Sequence, residues 1–156
     1  MILSAQTIRR LCQSDVAFSP MLDPFVERQQ HAISGTSFGL SACGYDVRIA
    51  QDRRLAPGDF LLASTMERFV MPDYVMAQVA DKSTWARRGL AVQNTIIEPG
   101  WHGWLTLELT NHGSNLINLR AGTPIAQIIF MRLDEPTEQP YSGKYQDQEN
   151  KPVEAR

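Results

Sequence analysis

The chain has 156 residues, 43% of them hydrophobic and 21% charged, and a net charge of −2. That length suits one domain with a real core, and this balance is that of an ordinary water-exposed globular protein. A charge so near zero argues against a broad electrostatic grip on nucleic acid. Two cysteines, Cys12 and Cys43, lie far apart with no metal-ligand spacing, so neither a disulfide framework nor a zinc site is expected. The opening MILSAQTIRR is too short and polar for a signal peptide, and no apolar run approaches the ~18 residues of a membrane span. The expectation is a cytoplasmic protein with no nucleic-acid or membrane partner.

In chain order, Ser4 is a plausible N-cap, and Ile8, Leu11 and Cys12 follow at helical spacing, which predicts a short opening helix. From Ser19 to His31, Pro20 and Pro24 break regularity and leave a loop anchored by Phe25 and Val26. Ser34 to Tyr45 is rich in glycine and serine, which permits close backbone approach. Asp46 to Ile49 alternates as a strand. Turn signals at Ala56–Asp59, Met71–Asp73 and Ala121–Thr123 introduce apolar segments at Phe60–Ala63, Tyr74–Ala80 and Pro124–Met131. Short strands between Pro/Gly turns predict a mainly β protein, a distorted barrel or jelly-roll-like sandwich.

The densest stretch is 81–111, DKSTWARRGLAVQNTIIEPGWHGWLTLELTN. A polar segment from Lys82 to Arg88 suits a helical turn stopped by Gly89. One turn sets Ser83 beside Arg87. Glu98 precedes a Pro99-Gly100 turn. Then Trp104 to Asn111 alternates, with Leu105, Leu107 and Leu109 on one face and Thr106, Glu108 and Thr110 on the other. A mid-strand glutamate is ordinarily just part of a solvated face; the chemical alternative for Glu108 is a general acid/base. Ser83 and Arg87 are ordinarily a cap and a solvated cation; the alternative is an anion or water site. His31, His102 and His112 share no ligand spacing, and the three tryptophans are most economically core or interface residues. Residues 134–156 are polar and proline-punctuated, which predicts a mobile arm appended to a domain of residues 1–133 and ordered by ligand or a neighbouring subunit.

Taken in order, MILSAQTIRRL, FGLSACGYDVRIA, DKSTWARRGL, IIEPGWHGWLTLELTN, GTPIAQIIF and PYSGKYQDQ resemble the successive motifs of the dCTP deaminase branch of the trimeric dUTPase-like superfamily. The resemblance implies a dUTPase-type fold, a homotrimer with active sites between subunits, and hydrolysis of dCTP to dUTP and ammonia. It implies Glu108 as the catalytic acid/base, with Ser83 and Arg87 flanking the reacting water and amine. Lys82, Thr84, Glu98, Thr106 and Leu107 match further substrate-contacting positions. Tyr141, Lys144 and Gln148 match nucleotide contacts in an arm that closes over the substrate. Magnesium is expected on the triphosphate. Zinc is not expected, because the H-x-E and P-C-x-x-C signature of zinc deaminases is missing from this sequence.

The link LAVQNTII is about two residues shorter than in some members, and Glu98 stands where aspartate is usual. The link borders the base pocket, so a 5-substituted dCTP stays open as substrate, while glutamate at 98 lengthens a sugar-contacting side chain by a methylene. The competing readings are a deaminase that also releases pyrophosphate, a pure dUTPase, and a non-catalytic nucleotide-binding module. A pure dUTPase has no need of Glu108 and would carry a glycine-rich tail motif, which this tail lacks.

Overall fold

A computed structural model describes residues 1–13 and 19–155. A helix α1 (Ala5–Gln13) is followed by strands β1 (Leu22–Asp23), β2 (Gln29–Gln30), β3 (Ser37–Leu40), β4 (Tyr45–Arg48), β5 (Arg53–Leu55), β6 (Phe60–Val70) and β7 (Val75–Asp81). A single helical turn, α2 (Ser83–Ala86), leads to β8 (Leu90–Val92), β9 (Ile96–Ile97), β10 (His102–Asn111), β11 (Ile117–Leu119) and β12 (Pro124–Arg132). The expected opening helix and principal strands are present. Among the described residues, no helix is long and apolar enough to cross a membrane.

The strands form an antiparallel four-stranded sheet, β1-β6-β10-β8, and a six-stranded sheet, β2-β3-β4-β12-β7-β9. A small β11-β5 pair is separate. Both large sheets feed one core: Phe69, Leu107 and Leu109 come from the first, and Val47, Ile128 and Phe130 from the second. α1 adds Ile8 and Cys12. The ladders do not close into a ring, so the expected distorted barrel takes an open, two-sheet form. An isolated bridge, Ile49↔Thr65, joins the sheets at one corner.

The small-residue stretch serves close approach, as expected. A Cβ on Gly39, whose φ is +81°, would stand 2.5 Å from the Glu27 carbonyl oxygen, and one on Gly44 would stand 2.6 Å from that of Ile128. The Phe25–Val26 loop is pinned by Tyr45, whose hydroxyl accepts the Val26 N–H (3.1 Å) and donates to the Pro24 carbonyl (3.2 Å).

β10 departs from simple alternation. Trp104 pairs with Arg68 but Thr106 pairs with Ser64, so Thr65, Met66 and Glu67 of β6 bulge opposite Leu105 alone. Leu107 and Leu109 are fully buried as expected, whereas Leu105 is only partly buried, packed against the core while also lining a cleft. The bulge is held from inside. The Thr65 hydroxyl donates to the Glu67 carbonyl (2.7 Å) and accepts the Leu105 N–H (3.1 Å). The fully buried Glu67 carboxylate accepts both the Arg48 N–H (2.9 Å) and the Arg48 Nε–H (2.7 Å). Arg48 also lies over the Phe38 ring at 5.0 Å.

Removing one partner of such a pair strands the other charge in the interior, typically at a cost of about 3–5 kcal/mol. Glu67→Ala should destabilise the fold by about that amount in urea unfolding, whereas a change at an exposed charge such as Glu138 should stay within about 0.5 kcal/mol.

Candidate active site

β10 forms the floor of a cleft of about 730 Å³. The first residues of β6 (Phe60–Leu62) stand on one side and the Asn94–Glu98 segment on the other. The C-terminal arm supplies a third wall through Tyr141, Tyr145, Gln148 and residues 153–155. The volume lies in the range of small-molecule sites, about 300–1,000 Å³.

Glu108 projects from the floor. Burial alone pushes its carboxyl above the usual carboxylate range. Its backbone is held on the β8 side, where its carbonyl accepts the Gln93 N–H (2.9 Å) and its N–H donates to Asn94 Oδ1 (3.2 Å). The bulge turns Leu105 and Thr106 toward this same cleft. The Thr106 hydroxyl donates to Gln148 Oε1 (3.1 Å) and accepts the Val153 N–H (3.1 Å), so it binds the arm on both counts.

Within the chain, residues of the arm hydrogen-bond along the start of β10 and the turn before it. Trp101 Nε1 donates to the Tyr145 carbonyl (2.7 Å). The Gln146 side chain behaves as a strand segment: Oε1 accepts the His102 N–H (3.0 Å) and Nε2 donates to the Gly100 carbonyl (2.9 Å). Gln148 runs parallel to Gly103, and its carbonyl accepts the Trp104 N–H (3.1 Å). A His102 Nδ1–Asp147 contact of 2.7 Å adds to the seam. Part of the polar composition that suggested a free arm, Gln146, Asp147 and Gln148, is used on β10 and the turn before it.

The residues expected to act together fall into two groups. Glu98, Thr106, Glu108, Tyr141 and Gln148 line the cleft. Ser83, Thr84 and Arg87 do not; the first two sit on α2 and Arg87 follows it directly, its N–H bonding the Ser83 carbonyl (3.1 Å), and both Ser83 and Arg87 are exposed. Arg87 and Arg88 line a separate concavity with Trp85 and the 113–118 loop. Leu107 is fully buried in the core and does not line the cleft. Lys82 is buried, its ammonium bound to Asp46 at 2.7 Å, so it secures the start of α2 instead of presenting a charge to phosphate. Lys144 lies over the Tyr145 ring at 5.1 Å and outside the cleft lining.

Among the described residues no lysine or arginine lines the cleft, whereas three glutamates do: Glu98, Glu108 and Glu154. Nor do those residues hold a group of three or more His, Cys, Asp or Glu placed to bind a metal. Asn94, Trp101, Gln146 and Glu154 were not singled out as site residues from the sequence. Only Trp101, beside the Pro-Gly turn, carried a visible signal there.

The sequence profile of a family described as dCTP deaminase-like matches residues 45–133. A dCTP deaminase of Pseudomonas putida (strain W619) is 34% identical over 182 aligned positions, covering 94% of this chain and 95% of that protein. One from Campylobacter fetus subsp. fetus (strain 82-40) is 34% identical over 161 positions, covering 83% of this chain and 86% of that protein. The first alignment is longer than the 156-residue chain itself, so that relative carries internal segments this chain lacks. Among solved structures, the EIAV dUTPase is 27% identical with a TM-score of 0.54, over 65% of this chain and 84% of that one. A dUTPase from Streptococcus mutans, at 18% identity and a TM-score of 0.51 over 70% of this chain and 90% of that one, shares the fold. With the family profile matching more than half of the chain and relatives 34% identical over most of it, the chain belongs to the dCTP deaminase-like family.

Proposed function

We propose that this enzyme hydrolyses the exocyclic amine of dCTP, or of a 5-substituted dCTP, giving the corresponding uracil nucleotide and ammonia with the triphosphate intact. The observation that carries this reading is Glu108, a carboxylate in a nucleotide-sized cleft whose proton affinity is raised by desolvation alone. A general acid/base works best with a pKa near the working pH, and burial moves Glu108 in that direction. In the reaction Glu108 takes a proton from water as the oxygen adds to C4, and passes it to N3. A second proton transfer to the amino group lets ammonia leave and restores the carbonyl. Water and cytosine are consumed, ammonia and uracil formed, and Glu108 ends as it began.

The cleft's electrostatics bear on who completes it. A triphosphate placed beside three glutamates needs cations, and none lines this cleft among the described residues. Ser83, Arg87 and Arg88 stand exposed outside it, and no acid lines the concavity of the two arginines. We therefore assign Ser83, Thr84 and Arg87 to the cleft of a neighbouring copy in a homotrimer. There Ser83 positions the water and Arg87 polarises the reacting group and offsets charge. Magnesium arrives with the triphosphate as part of the substrate, held by phosphate oxygens and water. Tyr141, Lys144 and Gln148 contact the nucleotide from the arm, and Glu98 meets the sugar. A second reading, deamination with pyrophosphate release, is favoured by Glu98 standing at the cleft, where a carboxylate could serve water attack on the α-phosphate.

Glu108→Gln should keep the fold and nucleotide binding but lose about 10²-fold or more in turnover. Ammonia release from dCTP measures this, and near-normal release would remove Glu108 from the mechanism. Because its carboxyl is shifted upward and the attacking step needs the carboxylate, the acidic limb of wild-type turnover should lie above the usual glutamate pKa. Phosphorus NMR of the completed reaction should show an intact triphosphate. Pyrophosphate appearing in step with ammonia would establish the second reading and reassign Glu98 as a base.

A further inference from the structure

The β8–β10 ladder stops at the edge of the cleft. Its last strand pair is Val92↔Leu109, and the Gln93 N–H still reaches the Glu108 carbonyl at 2.9 Å. Beyond that point the backbone leaves β10 and the Asn94 side chain replaces it. Nδ2 donates to the Thr106 carbonyl at 2.7 Å, and Oδ1 accepts the Glu108 N–H at 3.2 Å. The amide has only one workable orientation, because one partner is a carbonyl and the other an N–H. On the far side, β6 pairs with the same three residues through Thr106↔Ser64, Leu107↔Ala63 and Glu108↔Leu62.

We infer that Asn94 is a positioning residue for Glu108, its side-chain amide standing in for a ladder strand on the open side of β10. The substitution of side chain for backbone does two things together. It keeps the peptide units around Leu107 paired on both sides, which fixes the angle at which Glu108 enters the cleft. It also lets the 93–95 segment stand away from β10 and leave the space that Asn94 and Glu108 both line. A continued backbone strand would give the first and close the second. Asparagine meets the requirement where aspartate does not. An aspartate oxygen would face the Thr106 carbonyl without a proton, and would add charge to a cleft already lined by Glu98, Glu108 and Glu154. The remaining titratable groups there are Tyr141 and Tyr145, and no described cation lines it to compensate.

The kinetic part of this inference rests on the deaminase reading; the geometric part does not. The test uses the full chain as wild type, Asn94→Ala and the isosteric Asn94→Asp. Amide hydrogen exchange read by NMR should be at least about tenfold faster at Glu108 in Asn94→Ala, while Leu109 and Thr110, paired with β8, keep their protection. With dCTP, kcat should fall about tenfold with KM changed less than about twofold, since small misplacements of a reacting group are costly. Asn94→Asp should recover turnover relative to wild type as the pH is lowered and its carboxyl gains the proton it needs to donate to Thr106. Should Asn94→Ala not fold, the aspartate variant carries both readouts. Unchanged exchange at Glu108 would overturn the clamp. Unchanged kcat, or a rise in KM alone, would overturn the positioning role. A wild type that exchanges as described but releases no ammonia from dCTP would refute the deaminase reading and leave the clamp standing.

Discussion

A carboxylate partly withdrawn from water in the middle of a β-strand, that of Glu108, is what the surrounding strands hold in place. Glu108 can be desolvated only if β10 lies deep in the fold, and it can be aimed only if β10 cannot twist. β6 holds one edge of the strand along nearly its whole length. β8, then the amide of Asn94, holds the other. Where Leu105 and Thr106 meet the cleft, β6 bulges; the Thr65 hydroxyl takes up the Glu67 carbonyl and the Leu105 N–H, and the buried Glu67 carboxylate ties the bulge to Arg48 of β4. The arm completes the arrangement by taking up the Thr106 hydroxyl and the backbone groups of His102 and Trp104.

The same requirement explains the distribution of charge. A cation close to Glu108 would stabilise its carboxylate and pull its pKa back down, so a cleft without one favours a shifted acid. A triphosphate nevertheless needs positive charge. Within one chain the two are separated, with glutamates in the cleft and Arg87 and Arg88 exposed at the end of α2; under the proposed sharing of sites, a neighbour's Arg87 would supply the positive charge and offset part of the upward shift of Glu108. The Lys82–Asp46 pair fits this division. It buries one cation to anchor the first residue before α2, while Trp85 fixes the turn by donating from Nε1 to the Pro124 carbonyl at 2.7 Å. Ser83 and Arg87 are left facing outward.

What the sequence revealed, it revealed through local rules. The Ser4 cap with Ile8 and Cys12 located α1; proline and glycine turns located β6, β7 and β12; Gly89, with a φ of +89°, stopped the helical turn. Leu107 and Leu109 were correctly assigned to the core by alternation. Leu105 packs against that core but is only partly buried and also lines the cleft, because a bulge on the partner strand breaks the period, and nothing within LTLEL records it. The role of Lys82 was equally hidden, since its partner Asp46 lies 36 positions away. The arm's composition resembles that of a free tail until Gln146 and Gln148 are seen serving β10. Asn94 gave no signal because its task is defined by a strand that ends beside it. Glu108, Ser83 and Arg87 were picked out by family resemblance, and their separation within one chain accords with that resemblance only if neighbouring copies share each site.

The most direct measurement of that sharing mixes two variants, each dead for a different reason. Glu108→Gln lacks the acid/base and Arg87→Ala lacks the cation, so each alone should release little ammonia from dCTP. Unfolded together and refolded, the two should regain activity, because some interfaces then combine an intact Glu108 from one copy with an intact Arg87 from another. With equal amounts and random assembly, about a quarter of the sites would be whole. Recovery near that fraction of wild-type activity is the result this account predicts. A mixture no more active than its separate components, although mixed assemblies have formed, would contradict it and return Glu108 and Arg87 to separate roles.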